Sequence, residues 1–315
     1  MVSELNELNI NLTAKDNHVI SVYCWDKVEN PRAVLQIFHG MAEHAGRYDR
    51  LAKYLNTQGF VVFGDDHRGH GKTSQLNGKT GVIGKNGFYN IVEDEFMITK
   101  LLKQKYPNTP IYVLAHSFGS FIGQEYITKY GNQINGLILS GSAAQTGAEF
   151  RFAKILASFQ VKLFGEEREA KFLDKLGFGS YNKRIANPST GFDWLSCDTA
   201  EVKKYIDDKY CGFICSTGFY YYFTDGLLNL YKKEKMDKIP KTLPIYIIAG
   251  QQDPVGQYGQ RVKKLYDIYK AIGVSDVEIK LYQGSRHEIL NEVNRDEVTE
   301  DILKWINDHL TMVKH

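Results

Sequence analysis

Five short apolar runs punctuate the chain and leave it few ways to fold: AVLQIF from Ala33, FVVFGDD from Phe60, IYVLA from Ile111, GLILSGS from Gly136 and PIYIIAG from Pro244. Each is almost continuous in β-branched and aliphatic residues, the composition of strands covered on both faces. Between them lie stretches of helical spacing. RYDRLAKYLNTQG carries Leu51 and Leu55 on one side and stops at Gly59. From Gly87 to Tyr106, residues Ile91, Glu95, Ile98, Leu102 and Tyr106 recur near helical spacing, with Lys103 and Lys105 in the final turn and Pro107 beyond it. Further helices are expected directly after Ser117, around residues 261–271 and from Asp296 to Leu310, with a strand VEIKLYQ between the last two. LNINLTA and VISVYCW, joined by the turn Lys15-Asp16-Asn17, read as an antiparallel edge, and HRGHGKTSQ as a loop. The alternation predicts an α/β fold: a mostly parallel central sheet with helices on both faces and the working residues at the carboxyl ends of its strands.

The alternation breaks between about residues 143 and 237. Helical spacing fits FRFAKILASFQVKLFG, EVKKYIDDKY and STGFYYYFTDGLLNLY, while no strand pattern recurs. The expectation is a mainly helical cap, 143–237, inserted into one domain spanning 1–315. Phe150, Phe152, Ile155, Leu156, Phe159, Leu163 and Phe164 are read as one apolar face interleaved with Arg151, Lys154 and Lys162. Such a face suits a lid that meets lipid or lines an acyl tunnel, and a core-packing helix has the same look. The aromatic run from Phe219 to Phe223 is read as pocket wall.

IYVLAHSFGS is the run that carries chemistry. A strand leads straight into a tight turn holding Ser117, and the residues two positions either side are Ala115 and Gly119. A serine on so sharp a strand-to-helix turn leaves no room for larger side chains there. Its hydroxyl is a poor nucleophile until a base takes its proton and a buried carboxylate orients that base. Both partners must come from the ends of later strands. Asp253 follows PIYIIAG by three residues, and His287 follows VEIKLYQ in the turn GSRHE. The other late histidines, His309 and His315, belong to the terminal helix and tail. The order Ser, Asp, His is the one this topology gives. A tetrahedral oxyanion needs two backbone donors; Phe118, next to the nucleophile, supplies one, and Met41 in HGMAEH, at the end of the first long apolar strand, the other. Asp66, Arg68, His70 and Gly71 in DHRGHG are read as a supporting network in which an Arg–carboxylate pair orders the loop.

The motifs HGMAEHAGRY, DDHRGHGKT, AHSFGS, GQQDPV and SRHEILNE, in that order, resemble the monoacylglycerol lipase and lysophospholipase branch of the α/β-hydrolases. The resemblance covers residues 33–145 and 243–308 and weakens in the cap. It implies a Ser117, Asp253, His287 triad with Met41 and Phe118 as oxyanion donors, and no metal or organic cofactor. The implied substrate is a small acyl ester, a monoacylglycerol or lysophospholipid. Two rival readings stand beside it: a prolyl-type aminopeptidase on the same core, which would need an acidic pocket from residues such as Glu166, Glu167 or Glu201, and a non-catalytic small-ligand binding protein.

Composition narrows the partners. Net charge is 39 − 37 = +2 with the signs interspersed, so no basic stripe exists for a nucleic-acid backbone. No apolar run approaches the ~18 residues of a membrane span, and the first residues lack signal-peptide character. Cys24, Cys197, Cys211 and Cys215 are scattered, which fits free thiols in a reducing compartment and a cytoplasmic setting. Cys211 and Cys215 are four apart, but no nearby pair completes a zinc site.

Overall fold

The computed structural model describes residues 9–312. Leu8, the first residue of LNINLTA, and His315 lie outside the described residues. The elements follow in the order β1 (Ile10–Thr13), β2 (Val19–Trp25), β3 (Ala33–Phe38), α1 (Asp49–Thr57), β4 (Phe60–Asp65), α2 (Gly71–Asn77), α3 (Gly87–Lys105), β5 (Ile111–His116), α4 (Phe118–Tyr130) and β6 (Gly136–Ser140). Five helices come next: α5 (Ala148–Phe164), α6 (Lys171–Phe178), α7 (Thr199–Asp207), α8 (Thr217–Leu230) and α9 (Lys233–Met236). The chain then returns to the sheet with β7 (Ile245–Gly250), α10 (Gln260–Ala271), β8 (Val277–Tyr282) and α11 (Arg295–Met312).

All eight strands form one sheet in the order β1-β2-β4-β3-β5-β6-β7-β8. β1 and β2 pair antiparallel, as do β2 and β4; every other pairing is parallel. The five apolar runs are the five central strands, each buried along its whole length. They are buried because helices cover both faces. On one side α1 packs Leu51 and Leu55, and α11 packs Val298, Ile302 and Ile306, against Leu35, Val62 and Leu114. On the other, Ile91 and Ile98 of α3, Phe121 and Ile122 of α4, and Val262 and Leu265 of α10 close over Val34, Val113 and Leu137. This is the mostly parallel, doubly covered sheet that the alternation predicts, and its strand order is consistent with the α/β-hydrolase fold that the motif resemblance implies. From β3 the chain turns one way to β4 and then back past β3 to β5, so the topological switch lies between the ends of β3 and β5, where α/β sheets open a crevice.

The loop reading of HRGHGKTSQ is corrected. Residues 71–77 form α2, although Gly, Thr, Ser and Asn favour a helix little. Tertiary bonds decide it: the Asp66 carboxylate accepts the Lys72 N–H (2.6 Å) and the Ala45 N–H (2.9 Å), and the Asn77 amide exchanges bonds with the Val19 backbone (2.8 and 3.2 Å). The strand GLILSGS is also shorter than its apolar run, ending at Ser140 because Gly141 turns into the left-handed region (φ 58°). Within DHRGHG the Arg–carboxylate network is present. Arg68 forks onto Asp94 (Nε 2.6 Å, Nη2 3.0 Å) and also donates from Nη2 to Asp16 (2.9 Å), tying the β1–β2 turn to α3.

Arg68 and Asp94 are 4% and 3% exposed, so cutting one from the other strands a buried charge. Arg68→Ala is expected to lower the free energy of unfolding by about 3–5 kcal/mol, read from the urea midpoint. Arg68→Lys should recover only part of it, because an ammonium cannot fork onto a carboxylate. An unchanged midpoint for Arg68→Ala would contradict this account.

Candidate active site

Ser117 sits on the turn between β5 and α4 with φ 49° and ψ −117°, a backbone that side chains rarely adopt. Three contacts hold it there. Its N–H donates to the Ser140 carbonyl (3.0 Å), its carbonyl accepts the Ser120 hydroxyl (2.6 Å), and α4 starts hard against the end of β3. The last contact explains Gly119: a Cβ there would collide with the backbone carbonyls of Phe38 and His39. Ala115 is fully buried, and its methyl would lie 3.0 Å from a Cβ placed on Gly123, so this position also has little spare room.

The structure brings Ser117, Asp253 and His287 together from three strand ends. His287 Nε2 lies 2.8 Å from Ser117 Oγ, and Nδ1 lies 2.9 Å from Asp253 Oδ2. Asp253 is fully buried, and its other oxygen accepts the Val255 N–H (2.8 Å). Nδ1 therefore donates to the carboxylate and Nε2 is left to accept the serine proton. Gly141 permits this approach, since a Cβ there would stand 3.0 Å from His287 Cε1. Burial works against an imidazolium, but the Asp253 carboxylate and its hydrogen bond, with Glu288 and Glu43 further off, outweigh it and hold His287 above its ordinary value of 6.5. His116, the neighbour of Ser117, has no such partner, and burial pushes it down to about 4. A serine hydroxyl hydrogen-bonded to an oriented imidazole can give up its proton on attacking an electrophile, and the imidazole can pass that proton to a leaving group.

Two cavities meet at the Ser117 hydroxyl, and Met41 borders both. The larger, about 680 Å³, is walled mainly by apolar side chains, among them Phe118, Phe121, Phe150, Leu173, Phe223 and Leu227. The smaller, about 300 Å³, adds polar groups: Glu43, His116, Asp174, Lys175, Tyr205 and Glu288, with Trp194 and Phe213. Met41 lies in the loop after β3 and Phe118 begins α4, so the two expected donors flank Ser117 across the switch point.

The family model described as serine aminopeptidase, S33, matches residues 29–294. The chain belongs to this family. Among curated relatives, a monoacylglycerol lipase of Mycolicibacterium smegmatis is 28% identical over 91% of this chain and 92% of its own, and a monoglyceride lipase of Rattus norvegicus is 27% identical over 97% and 90%. Among solved structures, a highly thermostable carboxyl esterase from Bacillus coagulans, in complex with glycerol, is 33% identical, covers 96% of this chain and 98% of its own, and superposes with a TM-score of 0.88. The likeness to monoacylglycerol lipases read from the motifs is thus borne out, and the family's core is the α/β-hydrolase fold.

Residues 143–237 contribute contacts that the sequence did not single out. The Trp194 ring lies 5.1 Å from that of His287, and the Tyr205 hydroxyl donates to the Ala42 carbonyl (3.0 Å). The apolar face assigned to α5 divides in two. Phe150 and Leu156 pack inward, while Phe152, Ile155 and Phe159 are 58%, 65% and 60% exposed, with Leu163 and Phe164 also outside. At 100° per residue, Phe150 falls opposite Phe159. In the aromatic run, Phe219 is buried against Phe118, Tyr220 and Phe223 line the larger cavity, and Tyr222 turns away to Glu166. All four cysteines are free. Cys211 lies near His44 and Asp208, whose own bond is 2.9 Å, and burial raises its thiol well above the ordinary value.

A serine hydroxyl 2.8 Å from an oriented imidazole predicts a reactive serine at position 117. A fluorophosphonate probe is expected to label it stoichiometrically, at a rate that falls as pH drops through a value above 6.5, because a raised imidazole is protonated earlier and then accepts no proton. Labelling that stays flat from pH 8 to pH 5 would contradict the coupling to His287.

Proposed function

We propose that this protein is a serine hydrolase of carboxylic esters with medium or long acyl chains, acting on monoacylglycerols or lysophospholipids within one hydrolase domain, 1–315, capped by residues 143–237. One observation carries the reading. Two cavities meet at a serine already bonded to an oriented histidine: a larger one walled mainly by apolar side chains, suited to an acyl chain, and a smaller mixed one that adds several polar and charged groups, suited to an alcohol.

Ser117 Oγ attacks the ester carbonyl while His287 Nε2 takes its proton. The oxyanion is held by the N–H groups of Met41 and Phe118. His287 then gives the proton to the leaving alcohol, and Asp253 stabilises the imidazolium and fixes its tautomer. Water enters by the alcohol side, loses a proton to His287 and releases the acyl group from Ser117.

The family's name favours a second reading, an aminopeptidase. Such an enzyme needs a carboxylate for the substrate amine on the acyl side of the serine. Glu166 accepts the Tyr222 hydroxyl, Glu167 pairs with Lys79 and Glu201 with Lys204; none of the three lines either cavity. Glu149 does border the apolar cavity, but Arg261 occupies it. Ester cleavage is therefore preferred over amide cleavage.

The exposed stripe of α5 suits contact with a lipid surface. Phe152 and Leu176, each more than half exposed, also border the apolar cavity, so an acyl chain leaving a bilayer would meet them first. Among the described residues no helix is long and apolar enough to cross a membrane. The free thiols fit a cytoplasmic setting.

Two measurements test the proposal. Across butyrate, octanoate and palmitate p-nitrophenyl esters, kcat/KM is expected to rise with each methylene that enters the apolar cavity, by up to about 0.8 kcal/mol. Monoolein should be cleaved and an aminoacyl-naphthylamide should not, and Ser117→Ala should lower kcat by a factor on the order of 10⁶. Preference for the naphthylamide would reverse the substrate assignment, and equal rates for wild type and Ser117→Ala would end the enzyme reading in favour of a binding protein. For the surface contact, Ile155→Ser with Phe159→Ser, which line neither cavity, is expected to weaken sedimentation with phosphatidylcholine vesicles while leaving turnover of soluble esters intact; unaltered sedimentation would argue against it.

A further inference from the structure

The loop that presents Met41 is held in an unfavourable shape. Ala42 has φ 52°, a conformation that costs a non-glycine residue energy and persists only under constraint. The Ala42 carbonyl accepts the Tyr205 hydroxyl and the Gly212 N–H, both at 3.0 Å. Glu43 completes the restraint by turning back on its own loop: Oε1 accepts the Gly40 N–H (2.5 Å) and the Tyr48 hydroxyl (3.0 Å).

The other oxygen of Glu43 leads across to the histidine loop. Arg47 Nη1 donates to Glu43 Oε2 (2.6 Å) and to Glu288 Oε1 (2.7 Å), while Nη2 donates to Glu288 Oε2 (2.6 Å). Glu288 directly follows His287, and its N–H is anchored on the Leu195 carbonyl (2.7 Å). Both carboxylates are buried, and the Arg47 guanidinium lies over the Tyr205 ring at 4.9 Å. We infer that Glu43, Arg47 and Glu288 form a buried clamp that fixes the Met41 loop against the His287 loop, and so are positioning residues for the ester cleavage proposed above, on which this inference rests.

Stability alone is a weak reason for such a group. Two carboxylates share one guanidinium, three charges are desolvated, and well-packed apolar residues of the same volume commonly serve a fold as well or better. What an apolar cluster cannot supply is a set of short, directed bonds that fixes one loop against another, together with negative charge on the side of His287 where an imidazolium develops. The groups facing His287 are Asp253 at Nδ1, Ser117 at Nε2, the neutral His116 ring at 4.9 Å, and beyond it Glu43 and Glu288 with Arg47 between them. Burial would raise Glu288, but Arg47 outweighs this and holds it at about 2, so it stays charged throughout the working range.

Two substitutions separate geometry from charge. Rates on p-nitrophenyl butyrate are taken per mole of Ser117 labelled by fluorophosphonate, so that a less stable variant is still counted fairly. Glu288→Gln is expected to lower kcat about tenfold or more, with KM within about twofold, and to move the acid limb of kcat/KM to lower pH, since one anion that favours the imidazolium has gone. Arg47→Lys keeps the charge and loses the fork; kcat should fall by a similar factor while the acid limb stays in place. If both variants keep wild-type kcat and acid limb per labelled serine, whatever their melting temperatures, the clamp is a structural ion pair and the inference is overturned. A wild-type protein that neither labels nor turns over the ester would instead remove the hydrolase reading itself.

Discussion

The backbone of Ser117 is the constraint from which the rest of the site follows. A positive φ at a non-glycine residue costs on the order of 1–3 kcal/mol and survives only where its surroundings over-determine it. Here those surroundings are the Ser140 carbonyl, the Ser120 hydroxyl and the end of β3, on which α4 rests with no side chain between. Because β3 and β5 are adjacent and parallel, a helix that begins on β5 and touches the end of β3 must lie across the switch point. The loop after β3 then has no choice but to pass beside the serine. Likewise β6 and β7 lie in order on the other side, so a loop leaving β7 reaches the same edge with Asp253, and β8 next to it delivers His287. The sheet order alone would bring these loops near one another. The strained turn lifts the hydroxyl out of the sheet to where they can reach it.

Buried histidines at this edge show how local charge sets their roles. Burial depresses His39, His70 and His116, in the case of His70 to about 3. His39 lies on His67 with ring centroids 4.0 Å apart, and His70 stacks on Phe118, so His39 and His70 serve as neutral, flat packing units with a hydrogen bond each to the backbone. His287 is as deeply buried, yet it moves the other way because a buried carboxylate sits on its Nδ1. Environments that push like groups apart mark the one suited to proton transfer. Proximity to the serine is not the criterion, since His116 adjoins it in sequence and stays a weak base.

Legibility in the sequence follows the same physics. The central strands were readable because burial on both faces demands unbroken apolar runs, and the candidate site because a strained turn demands small neighbours and a parallel sheet puts partners at strand ends. Ser117, Asp253 and His287 converge as that argument requires. α2 was missed because its stability comes from tertiary bonds, Asp66 to its first turn and Asn77 to the Val19 backbone, not from the helix propensity of its residues. The clamp was hidden for a related reason. Glu43 and Arg47 stand four apart, a spacing that suggests a pair, but Glu288 is 241 residues further on, and nothing local marks a shared guanidinium. On α5 the reading of one face failed because it counted apolar residues without fixing their angles, and the helix in fact carries two stripes.

That division of α5 bears on how an inserted segment can serve a fixed core. Ala157 and Phe150 face inward, where α5 meets α8 and the cavity wall, and these positions answer to packing. The outward stripe is more than half exposed. Exposed apolar side chains on this scale gain nothing by facing water, and burying each one elsewhere would be worth roughly 1.5–3 kcal/mol. Their retention next to the mouth of an apolar cavity is explained if that cavity is filled from an apolar phase. In that arrangement the core fixes the chemistry through geometry that tolerates little change. The helical segment sets what arrives there, by the shape of one wall and the character of its outer surface.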